Sequence, residues 1–297
     1  MDLSIVIVSW NVKEKLRECL RSVEEISESS PTLVGGVRGG GGVEVFVVDN
    51  ASKDGSVEMV KQEFPWVYVI ANDFNAGFAK ANNQAIRLSQ GRYVLLLNPD
   101  MRVFPGTLDG MVQFMDEPRN EKVGVAGCHL VSAASETVPH VRRFPAIKDQ
   151  LAIMLKVPHL FPRVLDRYMM ADFDYTKEAR VDSIRGSFFM IRRKVLDTIG
   201  LLDEGFFIWF EEVDFCKRAV EASYEVAYTP VVKAVDYVGQ SFKQVKFYPK
   251  QKMFTRSMVY YFKKHSPWWQ YRLLWISRPV ALSVAWIGDF IKSKMRT

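Results

Sequence analysis

Four apolar, β-branched runs, each cut off by a polar turn, constrain this chain more than any other feature. They cover residues 3–9, 43–48, 67–71 and 93–97. Between them, residues 13–26, 56–64 and 78–89 carry apolar side chains at helical spacing, with Leu16, Leu20 and Val23 in the first stretch and Phe78, Ala81, Ala85 and Leu88 in the third. Continuous apolar runs of this length read as strands buried on both faces. Their alternation with helices predicts a doubly wound, mostly parallel α/β sheet. In open sheets of that kind ligands bind in the crevice beyond the carboxyl ends of the strands.

Those ends are polar here. The fourth run stops at Asn98-Pro99-Asp100, where Pro99 denies the ladder a donor and turns the chain out of the sheet. The first ends in Ser9-Trp10-Asn11 and the second in Asp49-Asn50. Each alone reads as a turn closed by its own side chains. In a parallel sheet the three share one edge. Asp49 there could accept from the imide N–H of a uracil or thymine, and Asp100 could hold Mg²⁺ or Mn²⁺ on a diphosphate.

The second half of the chain is less regular. Residues 105–115 read as a helix and 123–128 as a strand. Prolines at 139, 145, 158 and 162 break up residues 132–180, where His140, Arg142, Arg143 and Phe144 are interleaved. This stretch reads as an irregular cover over the acceptor side of a site. A strand over 184–191, a helix over 193–199, a helix opening at Glu211-Glu212-Val213-Asp214 and a last strand over 224–229 follow. Acids in a helix's first turn are favoured by the macrodipole, at ~0.3–1 kcal/mol each. Asp54-Gly55 marks a turn, with Ser56 as a helix cap. The glycine run from Gly35 to Gly42 reads as a flexible excursion. It lacks the Lys-Ser/Thr of a phosphate loop.

Cys19, Cys128 and Cys216 lie far apart with no CxxC pair, which excludes a disulfide framework or a cysteine zinc site and suits a reducing cytosol. The first residues do not have the layout of a signal peptide. The net charge of +6 hides a division. Residues 243–297 hold twelve Lys or Arg against one acid, and four of the seven tryptophans. That composition points to a basic amphipathic helical tail against an anionic surface. Gln270, Arg272, Arg278, Pro279 and Asp289 interrupt residues 267–291, so an interfacial helix is expected rather than a span, for which ~20 largely uncharged residues are needed. The plainer alternative is an extension packed on the body of the chain or in a homodimer.

The ordered set Ile5-Val-Ile-Val-Ser-Trp-Asn11, Val47-Val-Asp-Asn-Ala-Ser-Lys-Asp-Gly-Ser56, Asn75-Ala-Gly-Phe-Ala-Lys-Ala-Asn-Asn83, Leu96-Leu-Asn-Pro-Asp100, Arg185-Gly-Ser-Phe-Phe-Met-Ile-Arg-Arg193 and Phe207-Ile-Trp-Phe-Glu-Glu-Val-Asp-Phe-Cys-Lys-Arg218 resembles the inverting family-2 glycosyltransferases of GT-A fold, in their rhamnosyltransferase-like branch. The resemblance covers roughly residues 3–242. It implies a GT-A domain over 1–242, with a donor half over about 1–130 and an acceptor half over about 131–242, and it leaves 243–297 as the tail. It implies a nucleotide-diphosphate-sugar donor, dTDP-rhamnose as the branch-level choice, Mg²⁺ or Mn²⁺, and inversion at the anomeric carbon. Asp49 matches the base-binding acid. Asn75, Gly77, Phe78 and Asn82 match the donor loop, joined on the donor side by Ser9, Asn11, Asn98 and, at a phosphate, Arg185. Asp100 matches the last acid of the metal motif, whose first acid is here Asn98. Asp236 stands where relatives often carry a metal-binding His. The catalytic pair falls on Glu211-Glu212, with Glu212 as base and Asp214 as its rival. A glycan or polyprenyl-diphosphate-linked acceptor would explain a tail facing the membrane, and implies a place on its cytoplasmic face.

Two other classes compete. A sugar nucleotidyltransferase would carry a Gly- and Arg-rich loop after the first strand, where this chain has Ser9-Trp10-Asn11-Val12. A non-catalytic glycosyltransferase-like scaffold, or a nucleic-acid binder working through the tail, would have no need of acids at 49, 100 and 212. No nucleic-acid partner is expected.

Overall fold

The computed structural model describes residues 1–28, 42–239 and 244–294. Most of the glycine run, and residues 240–243, lie outside the described residues. The elements in chain order are β1 (Leu3–Ser9), α1 (Lys13–Glu28), β2 (Val43–Asp49), α2 (Ser56–Glu63), β3 (Tyr68–Ala71), α3 (Phe78–Ile86), β4 (Tyr93–Leu97), β5 (Met101–Val103), α4 (Thr107–Asp116) and β6 (Val123–Val131). Then come β7 (Val141–Arg142), α5 (Ile147–Met154), α6 (Asp166–Met169), β8 (Ala179–Arg180), β9 (Ser183–Ile184), β10 (Phe188–Arg192), α7 (Arg193–Ile199), α8 (Glu211–Glu221), β11 (Glu225–Asp236), α9 (Phe247–His265) and α10 (Trp268–Lys294).

The main sheet runs β3-β2-β1-β4-β10-β6-β11-β5, with β8 on β11. Strands β3, β2, β1 and β4 are parallel, as are β6 and β11. β10 is antiparallel to both its neighbours, β4 and β6. Ser9 aligns with Asp49 in the β1–β2 register, so those two polar ends sit side by side.

Because the strands are apolar on both faces, the sheet carries two cores. On one face Leu3, Ile5, Val45 and Leu95 pack against Leu16, Leu20 and Val23 of α1 and Leu108, Met111 and Phe114 of α4. On the other, Val6, Val48 and Leu96 meet Ala79, Ala81 and Ala85 of α3 and Phe215 and Ala219 of α8. A third cluster joins Met154, Phe206 and Phe210 to Met258, Tyr261 and Phe262 of α9 and Leu274 and Ala281 of α10.

Several sequence expectations need correction. α3 ends at Ile86, and Leu88 is exposed outside the buried stripe. Ser56 does not cap α2. Gly55 precedes that helix in a left-handed conformation, and the Ser56 hydroxyl donates to Asp54 Oδ1 instead. The last strand runs on past residue 229 to Asp236, and the short β5 pairs with its far end, opposing Asp236 to Met101. α10 continues through Pro279.

Candidate active site

A cavity of about 750 Å³ opens beyond the carboxyl ends of β1, β2 and β4. Among the sequence-expected residues, Asn75, Gly77, Phe78, Asn98, Asp100, Arg185, Glu211, Glu212 and Asp236 line it. Ser9, Asn11, Asp49, Asn82 and Asp214 do not.

The turn at 98–100 is pinned from two sides. Asn98 N donates to Ser187 O at 2.9 Å, and Tyr237 N donates to Asp100 O at 3.2 Å. The Asp100 side chain is buried at the head of this turn. Among the described residues no group of three or more His, Cys, Asp or Glu is placed to hold a metal by itself. One carboxylate completed by phosphate oxygens and water is nonetheless a donor set that suits Mg²⁺ or Mn²⁺. Asp236 is already engaged. Its Oδ1 accepts from Val238 N at 2.7 Å, and its Oδ2 from Ser187 Oγ at 3.1 Å and Arg185 Nη1 at 3.2 Å. The charge expected to serve a metal therefore holds the Arg185 guanidinium in the cavity.

The donor loop is built by close approach. Gly77 has φ +85°, and a Cβ there would lie 2.5 Å from Phe207 O. That contact lets Phe78 N donate to Phe207 O at 2.7 Å, which brings the start of α3 against the segment leading to α8. Asn50 organises the loop, accepting at Oδ1 from Asn72 Nδ2 and Ala76 N and donating to Gly77 O. Behind it, Asp49 Oδ2 accepts from Ser52 N at 2.8 Å, while Asp49 Oδ1 and Ser9 Oγ are buried with no hydrogen-bond partner. Asn11 does not reach the cavity, because its Oδ1 accepts from Lys53 N at 2.7 Å. Asn82 Nδ2 donates to Phe78 O within its own helix.

Across the cavity, Trp209 and Phe210 hold positive φ angles of 63° and 72° immediately before α8. Left-handed backbone at consecutive aromatic residues is costly and persists only where packing enforces it. Phe254 of α9 packs on both rings and Tyr261 on Phe210, and Ser257 Oγ donates to Ile208 O at 2.7 Å. This turn presents Glu211 and Glu212, whose Oε2 atoms are both buried without a hydrogen-bond partner. Burial, and then the neighbouring Glu212 carboxylate, push the Glu211 carboxyl well above the usual range. Burial also raises Glu212, but the Arg185 guanidinium opposes the shift. Two adjacent buried carboxyls resist ionising together, and the Arg185 charge favours the ionised form of Glu212.

Asp214 faces the other way. It accepts from Arg218 Nε at 2.8 Å and lies 2.7 Å from both Lys264 Nζ and His265 Nε2. Burial opposes ionisation there, yet the hydrogen bonds from His265 and Lys264 and the Arg218 charge hold its carboxyl at about 2. It anchors α8 to α9 and does not line the cavity.

His140, Arg142, Tyr168 and Trp209, together with Met253 and Phe254 of α9, complete the lining. For His140 and Arg142 the sequence signal was slight, basic and aromatic residues interleaved over 140–144; Trp209 lies in the family-matching run 207–218, and Tyr168, Met253 and Phe254 gave none. Desolvation lowers His140 to about 4, so its ring is neutral, with Nδ1 2.9 Å from Val138 O and a buried Nε2 that has no partner. A second cavity of about 910 Å³ lies on the far side of Tyr168, and none of the expected site residues lines it.

The sequence model for glycosyl transferase family 2 matches residues 4–200. An N-acetylglucosaminyl-diphospho-decaprenol L-rhamnosyltransferase of Mycobacterium tuberculosis is 24% identical over 250 residues, covering 80% of each chain. Rhamnosyltransferase WbbL of Escherichia coli is 24% identical over 169 residues, 54% of this chain and 61% of that one. Among solved structures, the mannosyltransferase PcManGT of Pyrobaculum calidifontis, in complex with GDP-Man and Mn²⁺, aligns with a TM-score of 0.57 at 18% identity over 99% of this chain and 75% of that one. S. aureus TarS with UDP-GlcNAc aligns at 0.54 and 16% identity, over 87% and 67%. The α/β sheet with its crevice is thus of GT-A type, and the sugar nucleotidyltransferase reading falls away. With the motifs in order along β1, β2, α3 and β4 and the family model spanning them, the chain belongs to glycosyl transferase family 2.

Proposed function

We propose that the chain is an inverting hexosyltransferase that moves a sugar, with rhamnose the best match, from a dTDP- or UDP-sugar to a hydroxyl of a polyprenyl-diphosphate-linked or other glycan acceptor. The observation that carries this is the Glu211–Glu212 pair, both carboxyls raised by burial in one cavity with the Asp100 turn and Arg185. The acceptor of the M. tuberculosis relative, as its name describes it, supports the lipid-linked choice.

Glu212 takes the proton of the acceptor hydroxyl, whose oxygen forms the new bond to the anomeric carbon. The bond from that carbon to the diphosphate breaks, and the nucleoside diphosphate leaves with the electron pair. The buried, unpartnered Asp49 Oδ1, just behind the lining residue Asn50, is assigned the imide N–H of the base, which must reach past that lining to meet it. Asn75 and Arg185 bind the sugar-diphosphate, and Asp236 holds Arg185 in place. Mg²⁺ or Mn²⁺ bound at Asp100 would neutralise charge developing on the leaving diphosphate. Asp214 is left out of the chemistry because its carboxylate is taken up by Arg218, Lys264 and His265.

A thermal-shift panel of nucleotide-sugars with and without Mn²⁺ tests this reading. A Mn²⁺-dependent rise in Tm with dTDP- or UDP-sugars is expected, and a response to none of the panel would sink it. In calorimetry Asp100→Ala is expected to weaken metal-dependent donor binding by roughly tenfold or more, the scale of one lost charge-assisted contact. Unchanged affinity would remove Asp100 from the diphosphate corner. Because burial raises the pair, the transfer rate is expected to climb with pH through a limb above the ordinary carboxylate range. A rate that is flat from mildly acidic pH upward would mean that neither glutamate is the base.

A further inference from the structure

α10 has two apolar faces. Tyr271, Leu274, Arg278, Ala281 and Ala285 form the inner one, with Leu274, Ala281 and Ala285 fully buried. On the opposite side Trp269, Leu273, Ile276, Val280, Val284 and Ile287 recur at intervals of three and four residues, and all six are exposed. At 1.5 Å per residue this outward stripe is about 27 Å long. It contains no charged side chain. Trp268, Trp275 and Trp286, also exposed, flank it along one edge. A helix packed on a water-soluble body should show a mostly polar outer face; here the outer face is mostly apolar, with Arg272 and Ser283 exposed between the stripe and the tryptophan edge.

A second apolar patch sits beside the first. Leu155, Leu160, Phe161 and Val164, in the segment after α5, are 50%, 78%, 66% and 45% exposed. A chain of contacts joins the two patches. Asp289 of α10 accepts from Phe247 N and Tyr248 N at the start of α9, the Phe247 ring lies 5.1 Å from Lys156 Nζ, and Lys156 belongs to the patch segment.

We infer that the outer stripe of α10 and the 155–164 segment together dock the protein on an anionic lipid surface. Charge decides between occupants. The segment 243–297 carries twelve Lys or Arg against one acid, and Arg272 is exposed beside the stripe; that surplus disfavours pairing two copies and favours acidic headgroups. Exposed tryptophans beside an apolar stripe suit the headgroup boundary, where one end of the ring is dry and the other wet. No helix among the described residues is long and apolar enough to cross a membrane, so the contact is lateral. Neither patch lines the active-site cavity itself; Met253 and Phe254 of α9, the helix on which α10 packs, and Tyr168, four residues past Val164, do. That the docked face offers a lipid-linked acceptor to Glu212 rests on the function proposed above; the docking itself does not.

The test is flotation of the full chain with phosphatidylglycerol-containing vesicles and with pure phosphatidylcholine vesicles, without donor or acceptor. Preferential flotation with the anionic vesicles, weakened by salt, is expected. Ile276→Glu and Phe161→Glu are each expected to lower partitioning by roughly tenfold or more, as apolar burial is lost. Tyr68→Ser, an exposed aromatic on β3, should leave it unchanged. Val280→Ser serves as a second stripe variant if Ile276→Glu shifts the melting curve. Failure of the parent chain to float, or unchanged flotation of the stripe variants, overturns the inference. So does a parent that sediments as a dimer, fails to float, and becomes a monomer on Ile276→Glu. That last result would assign the stripe to a second copy. Because no sugar is present, none of these results bears on the glycosyl-transfer reading.

Discussion

Glu212→Gln is expected to leave nucleotide-sugar affinity nearly unchanged while lowering the transfer rate by roughly 10²–10⁴-fold, the range of a lost general base. Glutamine keeps the shape and the hydrogen-bonding reach of the side chain, so the turn that presents it is not disturbed. It cannot take a proton. Arg185 keeps its partner in Asp236, so the diphosphate side of the cavity is preserved. Glu211→Gln should cost far less, because burial and Glu212 already hold Glu211 in its neutral form. The two variants are to be compared by product formation at saturating donor, with donor affinity from calorimetry. If the larger loss falls on Glu211→Gln, the roles of the two glutamates are reversed.

The second large effect concerns stability. Asp214→Asn is expected to destabilise the fold by about 3–5 kcal/mol, the usual consequence of removing one member of a buried ion pair and stranding its partners. Here Arg218, Lys264 and a His265 ring that is almost fully buried lose the charge and one acceptor oxygen of their common carboxylate. For a chain of this size that corresponds to a fall in Tm of roughly 10 °C. The pH dependence has a definite sign. The Asp214 carboxyl is held at about 2, below its unfolded value, so its contribution is present above about pH 4 and fades as pH falls toward 2. The parent protein should therefore lose stability over that acid interval more steeply than Asp214→Asn. Parallel melting curves for the two proteins across that interval would show that Asp214 carries no charge-dependent load.

Both predictions concern one turn of helix, and only part of it was legible in the sequence. Three acids at the start of a helix look alike to any rule based on the macrodipole. What separates Asp214 from the glutamates is a tertiary contact with α9. A local hint was available, since Asp214 and Arg218 stand four residues apart. The left-handed pair Trp209–Phe210 was not legible at all, because aromatic side chains give no signal for a conformation imposed by later packing. The donor half, by contrast, was readable nearly strand by strand. Its strands are continuous apolar runs, and their polar ends must share an edge once the sheet is parallel. β5 escaped because three residues carry no periodicity, and the far half of β11 because Pro230 interrupts its pattern. Asn11 and Asn82 belong to the right motifs, but their side chains serve backbone groups, Asn11 at Lys53 in the neighbouring loop and Asn82 within α3.

The contacts of α9 and α10 bear on how the enzyme can be handled. α9 holds the Trp209–Phe210 turn, the Ile208 carbonyl and Asp214, and α10 is buried against it through Leu274 and Ala281. Cutting the chain near residue 245 to obtain a better-behaved preparation would remove the strut beneath Glu211 and Glu212 along with the greasy surface. A soluble form is better sought by repainting, with polar residues placed at 269, 273, 276, 280, 284 and 287 and the inner positions left as they are.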